Sequence, residues 1–150
     1  MNDGLIVRTQ KSVAEYLRMA IPALPVIRHV AAKRVITAQG VPHMAFIGAP
    51  NAERLAGGNS VLNASYGVYV ATSGGDRHFQ AVNSLEAIAV ALSNADVGDE
   101  SNIDVPMVEG IILGDIENMF DADAGKAAIA IFGLSFMARI TIGDASFAAD

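Results

Sequence analysis

The chain has 150 residues, 52% of them hydrophobic and 17% charged, with a net charge of −6 and no cysteine. This composition excludes a disordered chain and is enough for one domain with a real core. It also excludes disulfides, thiolate metal sites and a cysteine nucleophile, and the acidic surplus argues against a grip on nucleic acid built from phosphate neutralisation. The opening "MNDGLIVRTQKSVAEYL" lacks the basic start and apolar run of a secretory signal, so the expected compartment is a cytoplasm. Charge is uneven along the chain. Residues 1–60 hold seven basic and three acidic side chains, and residues 61–150 hold three basic and thirteen acidic. Ordinary surface variation is one reading. The other is a dipolar protomer, with one side suited to an acidic neighbour and the other to a basic one.

The first predicted element is a helix starting near Ser12, with Glu15 at the capping-box spacing. Val13, Leu17, Ala20 and Ile21 fall on one face, and Pro22 and Pro25 end it. Two short strands follow at "KRVITAQ" (33–39) and "HMAFIGA" (43–49), with a turn at Gly40–Pro42. "PNAERLAGGNS" (50–60) reads as a long loop, mobile or in contact with a partner. "SVLNASYGVYVATS" has apolar even positions from Leu62 through Ala64, Tyr66 and Val68 to Val70, the alternation of a half-buried strand.

A second helix is predicted from about Asp76, its N-cap candidate, to Asn94, with an apolar stripe of Phe79, Val82, Leu85, Ala89 and Leu92. A second long loop is read at 94–104. "VPMVEGIILGDIENMF" is apolar on both faces around Ile111 and Ile112, while Glu109, Asp115 and Glu117 share a face. "ENMFDADAGK" joins it to the last strand as a hairpin. The run "AAIAIFGLSFMARITI" (127–142) is too short for a membrane helix, which needs roughly 20 apolar residues. Its even positions are all apolar and its odd ones turn polar after Ile131, so it is a strand, straight or bent near Gly133. The expected fold is α+β in the order α-β-β-β-α-β-β, a mainly antiparallel sheet of about five strands with two helices packed on it, in one domain over 1–150.

Motifs that carry chemistry fail one by one. His29, His43 and His78 have no helical ligand spacing, and surface or structural roles fit each better. "DADAG" at 121–125 begins like a calcium loop, but the twelfth position is Phe132 rather than Glu. Gly125–Lys126 is followed by Ala127 and has no glycine five residues before it, so it is not a phosphate-binding loop. Ser135 in "GLSFM" lacks the second glycine of a nucleophile elbow. "SGGDR" at 73–77 would present backbone N–H groups to an anion, but a turn and a cap explain it fully. Asp96, Asp99, Glu100 and Asp104 read as hydrated loop acids. No catalytic, metal-binding or cofactor-binding residue is therefore assigned, and no cofactor is called for.

The order of elements resembles the tail terminator proteins of long-tailed bacteriophages. The resemblance is carried by "SVAEYLRMAIPALPVIRHV", by "SVLNASYGVYVATSGG" leading into "DRHFQAVNSLEAIAVAL", and by the closing "DVPMVEGIILGDIENMFDADAGKAAIAIFGLSFMARI". Within these, Tyr66–Val70 reads as a Y-x-V-x-V strand, and Ala81–Leu92 as an A-x-x-x-L-x-x-I-x-x-A-L helix. The likeness spans nearly the whole chain but is architectural, and no single residue is diagnostic. It implies a virion protein assembled in a bacterial cytoplasm, with no chemical step and no membrane. Its copies would form a ring, typically a hexamer, capping the head-proximal end of the tail tube. The implied partners are the chain itself, the tube protein and the head connector, with DNA passing through without specific binding.

A ring needs head-to-tail contacts. Candidate contact residues are Asn51, Glu53 and Arg54 on the first loop, Glu117, Asp121, Asp123 and Lys126 at the hairpin tip, and Arg139 on the polar side of the last strand. A solvated surface charge is the alternative for each, and a cross-strand carboxylate is a further option for Arg139. Other readings remain: a neck or tube component of the same particle, or a small α+β enzyme or ligand-binding subunit with a site between protomers.

Overall fold

A computed structural model of the chain describes residues 4–24, 28–29, 40–54, 60–98, 101, 103–105, 108–122 and 128–142. Helix α1 covers Leu5–Ala20, a start well before the expected Ser12. The apolar stripe explains the difference, because it runs back past Val13 through the buried Thr9 to Leu5 and Ile6, which pack on the core. Ser12 and Glu15 are thus interior helix positions and form no capping box. The C-terminal end is as expected, with Ile21 as C-cap just before Pro22.

Five strands form the main sheet: β1 (Arg28–His29), β2 (His43–Arg54), β3 (Ser60–Ser73), β6 (Val108–Ala122) and β7 (Ile129–Ile142), in the spatial order β1-β2-β3-β7-β6. β1 runs parallel to β2, and every other pairing is antiparallel. The strand expected at 33–39 lies outside the described residues. The central pair is the regular part of the sheet. β3 and β7 pair without a break from Ser60↔Ile142 to Ser73↔Ile129, so β7 has no register break at Gly133. Their alternation is the one read from sequence: Ala64, Tyr66, Val68 and Val70 share a dry face with Leu134, Phe136, Ala138 and Ile140.

The flanking strands carry the irregularities. β2 slips against β3 between Phe46 and Gly48 and again between Gly48 and Asn51, the extra residue lying on β2 each time. β6 slips against β7 at Val108/Gly110, Leu113/Ile116 and Asn118/Phe120, with the extra residue on β6. Bulges of this kind bend the strand and increase its twist. They also correct the loop expectations. β2 continues through Pro50, which falls within the second slip, where the ladder does not require its missing N–H. Asn51, Glu53 and Arg54 therefore lie on a strand and pair with Asn63, Val61 and Ser60. Likewise β6 runs to Ala122, so Glu117 and Asp121 are strand residues.

Helix α2 (Arg77–Ser93) packs on β3, β7 and β6, while α1 packs on β1, β2, α2 and the short strand β5 (Ile103–Asp104). α2 buries Ala81, Leu85, Ile88 and Leu92, a stripe rotated from the expected one. Phe79 is 75% exposed. The helix is apolar on most sides, and the sheet selects the row in which small Ala81 permits close approach. Asp76 is the N-cap residue, as read, but its side chain makes no capping bond. The expected loop at 94–104 holds a small parallel pair, β4 (Val97–Gly98) and β5 (Ile103–Asp104), next to fully buried Ile103 and Val105. Each such aliphatic side chain stabilises the fold by about 1.5–3 kcal/mol.

Tyr66 joins the layers. It stacks on Phe136 with ring centroids 5.3 Å apart and meets Phe46 edge-on at 5.8 Å. Its hydroxyl donates to the Ile6 carbonyl of α1 at 2.6 Å, and burial pushes its pKa up. Tyr16 donates to the Ala91 carbonyl at 2.8 Å, which ties the helices together, and Gln10 donates to the Met44 carbonyl at 3.2 Å. Among the described residues no helix is long and apolar enough to cross a membrane.

Candidate assembly surface

Both helices lie on one side of the sheet; on the opposite side Val61 and Ala71 are fully buried, but a stretch toward β2 and β6 is exposed. It is not uniformly polar. Tyr69 lies flat across two glycines: a Cβ added at Gly67 would stand 2.5 Å from its hydroxyl oxygen, and one at Gly133 would stand 2.8 Å from its ring. The missing side chains make room for the ring to cover the central pair. Ile47 approaches the Gly67 position from β2, and Met119 approaches Gly133 from β6. Ile47, Ile112, Met119 and Phe120 are each about half exposed, at 49%, 52%, 52% and 49%. Register places Ile112 opposite Met137 and Phe120 opposite Ile131, both on the side away from the helices. A depression of about 160 Å³ lies there, lined by Ser65, Ile112, Leu113, Gly114, Ser135, Phe136 and Met137. β6, the edge strand, carries four acids, Glu109, Asp115, Glu117 and Asp121, and no basic residue.

The expected contact residues separate into groups. Arg139 forms a cross-strand ion pair, Nε to Glu109 Oε2, at 2.9 Å. Glu109 is held below the usual carboxylate range first by the Thr141 hydroxyl, which faces it without a well-formed hydrogen bond, and then by Arg139. Asp121 points to the helix side. Its Oδ1 accepts from Arg77 Nε at 3.0 Å and its Oδ2 meets His78 Nε2 at 2.7 Å, so β6 is clamped to the start of α2. The His78 contact holds Asp121 below its usual range, with Arg77 adding to the effect. The His78 ring also meets Phe132 edge-on at 5.8 Å. Glu117 is exposed opposite Gly133 on the side away from the helices. Asp123 and Lys126 lie outside the described residues, and for Asn51, Glu53 and Arg54 only the backbone is described. The sequence reading missed Arg77 and His78, whose sign was legible but whose partner across 43 and 44 residues was not. It also missed Tyr69, for which Gly67 two residues earlier on the same strand face was a signal, while Gly133 meets the ring only through the β3–β7 register.

A second cavity, of about 420 Å³, lies where the end of α2, residues 95–97 and β6 meet. Its lining includes Ser93, Asp96 and Glu109. Ser93 Oγ donates to the Val90 carbonyl at 2.9 Å and Glu109 is engaged by Arg139. Among the described residues no three His, Cys, Asp or Glu gather as metal ligands.

No family model matches the sequence, and no curated protein matches it. Among solved structures the chain is similar in fold to one from the virion of a native gene transfer agent particle. The TM-score is 0.51 at 13% identity, over 91% of this chain and 92% of the other. At that identity the likeness is one of fold, and it runs from end to end.

Proposed function

We propose that this chain is a structural protein of a phage-like virion. More narrowly, its copies form a ring that caps the head-proximal end of a tail tube, stops tube growth and joins tail to head. The observation that carries the reading is the end-to-end likeness in fold to a chain from such a particle. Half-exposed Ile47, Ile112, Met119 and Phe120 on the sheet side away from the helices support it, because large apolar side chains grouped at a surface mark a contact site. On this reading the chain is one domain, works without a chemical step or cofactor, and belongs to the virion after assembly in the host cytoplasm. Its partners are other copies of itself, the tube protein and the head connector.

Deleting the coding sequence from a particle-producing genome tests this. The terminator role predicts headless tubes of uncontrolled length. Tubes of normal length that fail to join heads would instead assign a neck role, and absence of tubes a tube role. Normal particles would contradict every structural reading.

A further inference from the structure

The proposed ring leaves open which surfaces meet. We propose that the acidic, apolar margin of β6 on one copy receives the outer face of α1 from the next copy. This rests on the ring reading and adds the two surfaces to it. Position comes first. Within the main sheet α1 packs on β1 and β2, with β5 beside it, whereas β6 is the opposite edge of the five-strand order. The two patches lie on opposite flanks and opposite sides of the sheet, so they cannot meet within one copy. Different patches joined head to tail are the geometry that closes into rings.

Chemistry comes second. The outer face of α1 carries Arg8, Lys11 and Arg18 against a single acid, Glu15, with Val7 41% and Met19 79% exposed among them. β6 offers the complement. Asp115 and Glu117 have no ion pair among the described residues, and they flank the half-exposed Ile112, Met119 and Phe120. An apolar centre with a charged rim of opposite sign on each side is what a specific contact requires, the charges fixing register and partner. The other two acids of β6 are already used inside the fold, Glu109 by Arg139 and Asp121 by Arg77 and His78. They hold the strand in place and leave Asp115 and Glu117 to the neighbour.

The absence of native cysteine makes the contact directly readable. Glu117→Cys and Arg18→Cys variants of the full chain are mixed in equal amounts, oxidised mildly and weighed intact. The expected product is the mixed disulfide, one copy of each variant, with like-with-like dimers at background. In parallel, Glu117→Arg or Arg18→Glu alone abolishes the assembled species in native mass spectrometry, and the double variant restores it. Cross-links only between like variants, or rings that persist in both single reversals, would overturn this docking and leave the ring itself standing. A wild type that never assembles would overturn both. Retardation of a double-stranded DNA fragment that is lost in Arg18→Glu would assign the α1 face to DNA and overturn the docking.

Discussion

At the scale of single residues, three contacts bear weight that substitution can measure. Tyr66 is fully buried and bonds to α1. Tyr66→Phe removes one hydrogen bond and is expected to cost about 1 kcal/mol. Tyr66→Ala also leaves a cavity and is expected to cost roughly 3–5 kcal/mol by urea denaturation. Gly133 sits beneath the Tyr69 ring. Gly133→Val displaces that ring and is expected to cost about 1–3 kcal/mol, and adding Tyr69→Ala should recover part of the loss, which a double-mutant cycle reads. Asp121 and Glu109 both have lowered pKa values in the fold. A carboxyl lowered on folding contributes stability above its ordinary pKa, and that contribution is lost as pH falls through the folded value. Acid titration of thermal stability should therefore show a steeper decline in the wild type than in Asp121→Asn, the two curves converging at low pH. Equal slopes would show that the clamp to Arg77 and His78 adds nothing. Because both acids are solvent-exposed, the difference is expected to be small and to shrink further with salt.

At the scale of elements, the ones with strict periodicity were readable. β7 and the central part of β3 are half-buried strands, and binary alternation encodes that locally. The end of α1 was readable because proline cannot continue the helix. What failed depended on tertiary structure. The start of α1 follows from Leu5, Ile6 and Thr9 meeting the core, which outweighs a locally favourable Ser12 cap. This has a direct check. If Ser12 capped the helix, Ser12→Ala would destabilise by about 1 kcal/mol. As an interior position, the same change is expected to be neutral or to stabilise by up to roughly 0.5 kcal/mol, measured by thermal melting. The rotated stripe of α2 had a similar origin, since an apolar helix offers several candidate rows and only the sheet chooses one. Extension of β2 through Pro50 was hidden because bulges are set by pairing and not by composition. The candidate surface was partly legible: the acids of β6 were visible as charge, but the side of the sheet each one faces depends on three register slips.

At the scale of the whole molecule, the uneven charge acquires a place in space. The basic surplus of the first 60 residues includes the outer face of α1, and the acidic surplus of the remainder includes β6, at the far edge of the sheet. A protomer polarised in this way favours contact between unlike flanks over contact between like ones. Copies joined so will either close or extend indefinitely, depending on the rotation between neighbours. Closure is the outcome that the proposed ring requires. Native mass spectrometry of the purified 15.6 kDa chain is the most direct test. The account predicts one dominant closed species with a fixed number of copies, six by the resemblance in architecture. A chain that stays at 15.6 kDa at every concentration, or that forms an open-ended ladder of sizes, would contradict it.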